Sequence, residues 1–361
     1  MKKNAIIKSV FKSVGIVCGA LLCVVAIYVA YVLISYKRIP DNQTLDICQI
    51  SAEQAKQGET YSIVTYNIGF GAYIPDFSFF MDGGKDSVAK SKESVIGAVT
   101  GAADAVAELG PDFIAFQEVD LDGTRSHHVN QFDILKDEFA QYSNTFAVNY
   151  DSAFLAYPIL EPHGKNKAGL ATFSRFGIDS ALRRSLPIAT SIKKVLDLDR
   201  CYSITRIPVE GGRELCLFNL HMSAYSSDAG VREGQIAMFV SDMIKEYEAG
   251  NYVICAGDFN HDLKLLDETA EPNYTWAYPF PRSEFPNGLS FAMDILTDAE
   301  RGALWDSARN TDMAYIPGET FTITLDSFIV SDNVEVVSYT NVNLGYAYSD
   351  HDPVYMEFIL K

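Results

Sequence analysis

The sequence predicts an α/β fold behind a single membrane-spanning helix, and three observations carry that expectation. An uncharged, mostly apolar run of 21 residues, Val14 to Ile34, lies near the N-terminus. From Tyr61 onward, strand-type and helix-type apolar patterns alternate. Several strand-type runs stop at an amide, a carboxylate or an imidazole, where a buried strand would ordinarily stay apolar.

Composition sets the outer bounds. With 48% hydrophobic and 21% charged residues in 361, the chain is neither disordered nor of low complexity. Its net charge of -18, without a block of basic residues, argues against tight unspecific binding to a polyphosphate. The charge is also uneven: residues 1–39 hold six Lys and Arg and no Asp or Glu, so all 47 acidic residues face only 23 basic ones in the remainder.

At about 1.5 Å per residue, the apolar run is long enough to cross a hydrocarbon core of roughly 30 Å. It ends in bulky residues, Tyr31-Val32-Leu33-Ile34, rather than a small-residue cleavage site, which favours an uncleaved anchor. Four lysines precede the run and two cations follow it, so the N-terminus is expected in the cytoplasm and everything beyond Pro40 outside. The expected organisation is a cytoplasmic N-terminus (1–13), an anchor in the cell membrane (14–35), a juxtamembrane stalk (36–60) and one extracytoplasmic domain (61–361).

Within the domain, Tyr61 to Ile68 is β-rich. From about Val88, residues Val95, Val99, Ala102, Val106 and Leu109 fall on one helical stripe that Gly110-Pro111 ends. Phe113 to Val119 then reads as a strand buried on both faces, and Gly169 to Ser174 as another. Cys201 to Ile207 and Leu215 to Met222 flank the turn Glu210-Gly211-Gly212-Arg213 as a hairpin. Ile236, Phe239, Val240, Met243, Ile244 and Tyr247 mark a second helix, closed by Gly250 and followed by the strand Tyr252 to Ala256. Thr320 to Val330 and Pro353 to Leu360 complete the set. The six cysteines include no CxxC pair and no zinc-type Cys/His cluster, and predict no disulfide framework.

The polar strand ends are Asn67, Glu118, Asn219 with His221, Asp258 with Asn260, and Asp350-His351 before the last strand. Side chains two apart on a strand share a face, so each of the two middle pairs is expected to converge on one cleft. Carboxylates, amides and imidazoles suit a hard divalent cation holding a phosphate.

In these motifs the chain resembles the endonuclease/exonuclease/phosphatase superfamily, the deoxyribonuclease I-like fold. The strings are TYNIG (65–69), FQEVD (116–120), FNLHMS (218–223), GDFN (257–260), LDSFIVS (325–331) and SDHDPV (349–354), in the family's order, with GLATFSRF (169–176) before the histidine motif. The resemblance covers Tyr61 to Lys361. It implies a two-sheet α/β sandwich with outer helices and a cleft at one end. It further implies that Glu118 is the principal Mg²⁺ ligand, with Mn²⁺ a substitute, supported by Asn67 and with Asp350 close to the metal. Asp258 then orients and deprotonates water, Asn260 holds a phosphate oxygen, His221 and His351 donate to phosphoryl oxygens, and Asp326 orients His351.

Other residues carry weaker signals. Asn219, Arg125 and His128 are candidate substrate contacts, although a solvated loop accounts equally well for Arg125, His127 and His128, as it does for Lys165 and Lys167. Tyr73, Phe77, Phe79 and Phe80, and later Tyr274, Trp276, Tyr278 and Phe280, could stack on a substrate or touch a bilayer, with loop packing as the plainer account. The expected activity is Mg²⁺-dependent hydrolysis of a small or lipid-linked phosphoester. A surface-anchored nuclease is the alternative, and a silent binding module is disfavoured because every motif is intact. No protein partner is indicated.

Overall fold

The computed structural model describes residues 2–35, 38–188, 199–223, 229–272 and 276–361, so Tyr274 lies outside the described residues. In chain order the elements are α1 (Lys2–Ser35), β1 (Gln43–Thr44), β2 (Ile47–Cys48), β3 (Thr60–Asn67), α2 (Lys92–Leu109), β4 (Phe113–Gly123), α3 (Gln131–Glu138), β5 (Ser143–Asp151), β6 (Asn166–Ser174), β7 (Ser180–Ser185) and β8 (Cys201–Val209). They continue with β9 (Arg213–His221), α4 (Ala229–Glu248), β10 (Tyr252–Asp258), β11 (Leu289–Phe291), α5 (Asp298–Ala303), β12 (Ala308–Arg309), β13 (Thr322–Ile323), β14 (Asp326–Ser331), β15 (Val334–Asn341) and β16 (Val354–Leu360).

Two seven-stranded sheets form, in the orders β1-β7-β8-β9-β10-β14-β11 and β15-β16-β3-β4-β6-β5-β2. Each is antiparallel except for one central pair, β9/β10 in the first sheet and β3/β4 in the second. A parallel pair needs a crossover, and here each has a helix: α4 joins β9 to β10 and α2 joins β3 to β4. This is the two-sheet α/β sandwich with outer helices that the resemblance implies.

The core explains why so many strands read as continuously apolar. Ile63, Phe113, Leu217, Ile254, Phe328 and Val354 are fully buried in one cluster that draws on both sheets. On the other side of the second sheet, Val64, Ile114 and Phe116 pack against Val95, Val99, Ala102 and Val106 of α2, the stripe expected from their spacing. Burying a Val or Phe side chain stabilises by about 1.5–3 kcal/mol, so this stripe is a principal tie between helix and sheet. Ser91 starts α2 by accepting from Ser94 N, and Gly110, at φ 61°, ends it.

Three features differ from the sequence reading. The expected strand Thr320–Val330 is broken, because Thr322–Ile323 pairs with Ala308–Arg309 in a separate two-stranded ladder before β14 begins at Asp326. Residues 41–60, without periodicity, lie along the sandwich: β1 pairs with β7, β2 pairs with β5, and fully buried Ala55 bridges to Val209. Helix α1 begins at Lys2, and its stretch Ile7–Ser35 is long and apolar enough to cross a membrane, with its side chains almost entirely outside the protein core.

Candidate active site

The carboxyl ends of the two parallel pairs lie at one end of the sandwich, where open α/β sheets place ligands. In the first sheet the register sets three side chains in a row, since His221 on β9 is the partner of Asp258 on β10, and Asp258 is the partner of Asp326 on β14. Gly257 makes this row possible, because a Cβ there would lie 1.9 Å from Leu220 O on the neighbouring strand. In the second sheet Asn67 ends β3 beside Gln117 of β4. The loop before β16 crosses above, held by Ser349 Oγ donating to Asn67 O at 2.8 Å and by a bridge between His351 and Ala308.

Asn67 ties the sheets together. Its Nδ2 donates to Glu118 Oε1 at 3.2 Å and to Asp258 Oδ2 at 3.1 Å, while its Oδ1 accepts from Gly69 N. Asp258 Oδ2 also lies 3.4 Å from His221 Nε2 and 3.7 Å from His351 Nε2. Its Oδ1 accepts from Asn260 N at 2.9 Å, and Asn260 Nδ2 donates to Met222 O. His351 Nδ1 is 2.7 Å from Asp326 Oδ2. Asn260 has φ 50°, so it meets Asp258 through a turn and not through strand alternation.

Glu118 does not end its strand as expected. It sits at φ 54° in a register shift between Phe116 and Val119, and β4 continues to Gly123. A bulge of this kind re-aims one side chain out of the ladder, and a positive φ at a non-glycine residue is strained backbone that surrounding structure must hold. The bulge turns Glu118 toward Asn67 and His221 and leaves it 23% exposed, whereas Asp258 and Asp326 are buried.

Burial raises the Asp258 carboxyl to about 7, against the opposing pull of His351. Burial alone would lower His351, but the Asp326 and Asp258 carboxylates beside it hold it well above the usual histidine range. His221 moves the other way: burial keeps it well below that range, and Arg200 and His351 add repulsion. The two histidines are therefore unequal, His351 charged and His221 neutral. Among the described residues His221 Nδ1 is buried without a hydrogen-bond partner.

A model of the Endonuclease/Exonuclease/phosphatase family matches residues 64–351, from β3 through His351. The chain belongs to the endonuclease/exonuclease/phosphatase family. Members of this family are metal-dependent phosphoester hydrolases. Among solved structures, an endonuclease/exonuclease/phosphatase from Beutenbergia cavernae is similar at TM-score 0.57 and 15% identity, covering 83% of this chain and 72% of that one. The human Nocturnin catalytic domain with bound sulfate is similar at TM-score 0.54 and 18% identity, with 88% and 97% covered. TDP2 from D. rerio in complex with a single-strand DNA product follows at TM-score 0.53 and 15% identity, with 83% and 99% covered. At these identities the likeness is one of fold. No curated protein sequence matches the chain.

The divalent metal that family members use has a suitable place here. Among the described residues, Glu118 meets Asn67 and the distant His221 imidazole, 3.9 Å away, as its polar partners in the site. Asp350 is raised to about 6 by burial, with His351 opposing and Glu118 adding repulsion. Two acids that repel each other across a partly open cleft suit a hard cation. A tighter trio, Asp258, Asp326 and His351, brings ligand-type atoms within 4.8 Å of one another. In that trio Asp326 Oδ2 is bound to His351 Nδ1 and accepts from Ser307 Oγ at 2.7 Å, while Asp326 Oδ1 is buried without a hydrogen-bond partner among the described residues. Glu118 and Asp350, with Asn67 in support, are the carboxylates that could hold an ion on the open side of the cleft.

The expected substrate contacts fare differently. Asn219 is fully buried between the sheets: its Oδ1 accepts from Gln117 Nε2 at 2.8 Å, and its Nδ2 donates to Phe116 O, Ala171 O and Thr172 Oγ1. It is a strut one layer below His221, since sharing a strand face put it deeper and not in the cleft. Arg125 is also buried, forked onto Asp120 at 2.8 and 3.2 Å and lying 3.8 Å over the Phe70 ring, so it packs the loop after β4. His128 is exposed and pairs with Asp122 at 2.6 Å. Tyr73, Phe77 and Phe79 belong to the core, as does Phe280, leaving Tyr278 exposed. Sequence reasoning missed Ser307, which accepts from Leu325 N and Asp326 N while donating to Asp326. A serine before a short strand offers no sequence signal of that role.

Proposed function

We propose that this chain is a membrane-anchored, extracytoplasmic hydrolase that uses Mg²⁺, or Mn²⁺ in its place, to cleave a small or lipid-linked phosphoester. The observation that carries the chemistry is the position of Asp258 Oδ2, within 3.1–3.7 Å of Asn67, His221 and His351 together. A bound divalent ion would screen the phosphate's negative charge and polarise the bond to be broken.

The chain's own residues supply the rest. Asp258, raised to about 7 by burial, is a competent base near neutral pH and takes a proton from the attacking water. Asn67 and Asn260 N fix its two oxygens, so the lone pair that accepts the proton has one direction. His351, kept charged by Asp326, donates from Nε2 to a phosphoryl oxygen, and the charge on that oxygen rises in the transition state. His221 contributes as a neutral imidazole through Nε2.

Location rests on α1 and the lysine excess before it. Protease added to intact cells should remove the domain, and protection until lysis would reverse the orientation. The net charge of -18 disfavours a long polyanion, whereas an anchored cleft meets lipid head groups at high local concentration. The competing nuclease reading draws on the fold shared with TDP2, which was captured with single-strand DNA. Hydrolysis rates of the full chain on a phospholipid, a sugar phosphate, an inositol phosphate and DNA separate them. A specificity constant on DNA far above all others, falling steeply with salt, would install the nuclease reading instead.

A further inference from the structure

Outside α1, the most exposed large hydrophobic side chains among the described residues are neighbours: Leu160 at 99%, Ile159 at 84% and Tyr157 at 68%. They lie on a loop whose base is closed by the reciprocal backbone hydrogen bonds of Leu155 and Gly164, and Phe154 beside them is also exposed. Residues 152–160 carry no charge. A monomer in water rarely presents so contiguous an apolar tip.

The loop is fastened to α1. Tyr28 Oη donates to Phe154 O at 3.1 Å and accepts from Ala156 N at 2.8 Å, and Tyr31 Oη accepts from Phe154 N at 3.2 Å. Non-helical backbone enters an apolar medium only if its polar groups are satisfied, and here two tyrosines of the helix satisfy three of them. Tyr28 is seven residues before the end of α1 at Ser35, about 10 Å along the axis. Interfacial segments bury their apolar faces to a comparable depth, roughly 5–10 Å. Exposed Lys165 and Lys167 follow on the same hairpin, where they would meet anionic head groups.

We infer that residues 154–160 are a second membrane contact, dipping into the outer leaflet beside α1 and fixing the domain's tilt over the lipid surface. The inference rests on reading α1 as the membrane anchor. With two attachments, the domain cannot swivel freely on one helix, and the cleft keeps a constant height above the head groups.

The test uses the full chain in phosphatidylcholine/phosphatidylglycerol vesicles, carrying one environment-sensitive label at a time. The label sites are Leu160→Cys, native Cys23 within α1, and Val337→Cys on β15, at the opposite edge of the sheet from the β5–β6 end that bears the loop. The other exposed cysteines among Cys18, Cys23 and Cys48 are replaced by Ser, while Cys201, Cys216 and Cys255 are buried. Ile159→Cys serves as a second loop position. Lipids brominated near the top of the acyl chain should quench the labels at 159 and 160 several-fold more than the label at 337, with a blue-shifted emission, and lipids brominated near the chain end should quench Cys23. Quenching of Cys23 with loop labels indistinguishable from position 337 would overturn the loop contact and leave the anchor standing. Loss of quenching at Cys23 would overturn the anchor and the loop contact with it.

Discussion

His351 Nδ1 lies 2.7 Å from Asp326 Oδ2, and the opposite nitrogen of the same ring faces Asp258 at 3.7 Å. One imidazole thus stands between a carboxylate that holds it and a carboxylate that shares its work. The arrangement orients the ring and keeps it charged, which is what a donor to a phosphoryl oxygen requires.

His351→Ala should lower turnover by about 10²- to 10⁴-fold, and Asp326→Asn should lower it less, because the carboxylate acts only through the ring. The double variant should be no worse than His351→Ala alone. Turnover numbers for all three variants decide the matter, and losses that multiply would show that the two residues act independently.

Turnover should fall as pH drops through about 7. The base form of Asp258 is its carboxylate, and burial raises the pH at which that form is lost, so acid protonates the base at a pH where an exposed aspartate would remain ionised. His351, held in the charged form, should place any alkaline limb well above its usual range. A pH profile of turnover at saturating metal that stays flat from neutral pH down to the ordinary aspartate range would remove Asp258 as the base.

Ser307→Ala should destabilise the fold by about 1–3 kcal/mol and reduce turnover more mildly than Asp326→Asn. Its hydroxyl serves Leu325 N, Asp326 N and Asp326 Oδ2 at once in a fully buried position, so its removal leaves buried polar groups without a partner. Thermal unfolding and turnover measured on the same preparation would show both effects. Native stability in the variant would contradict this role.

Glu118→Gln should raise the Mg²⁺ concentration needed for half-maximal activity more than any other single substitution in the cleft. The amide keeps the shape of the side chain and its hydrogen bond to Asn67 in reach, but removes the charge that a hard cation needs. Metal titrations of Glu118→Gln, Asp350→Asn and Asn67→Ala side by side provide the comparison. A larger shift in either of the other two would move the principal ligand.

How much of this was legible in the sequence follows from the kind of signal each residue gave. Asn67, His221 and Asp258 interrupt apolar strands at their ends, where a polar group costs desolvation unless it has work to do, and the structure brings all three together with Glu118, Asp326 and His351. Asn219 gave the same signal for a different reason: it satisfies the polar interior between the sheets, and periodicity records a shared face but not depth. Arg125 reads as a surface cation because the turn after β4 that folds it back onto Asp120, five residues earlier, has no periodic signal. β7 and β15 were illegible as strands. In β7 the buried Arg183 hides among polar letters while bonding to Val148 O and Asp199 O. In β15, an edge strand, much of the surface remains in solvent. Residues 41–60 lack any period because they pair only two residues at a time.

The most direct measurement is metal-dependent phosphoester hydrolysis by the purified chain compared with Asp258→Asn, with thermal unfolding recorded for both. Asp258 is buried beside Asn67 and Asn260, so an isosteric amide preserves shape while removing the proton acceptor. The predicted result is activity that requires Mg²⁺ or Mn²⁺ in the native chain and falls by about 10²- to 10⁴-fold in Asp258→Asn, in a variant that still unfolds in one cooperative thermal transition. Near-normal turnover in a fully folded Asp258→Asn, or undiminished activity of the native chain in excess chelator, would contradict the account.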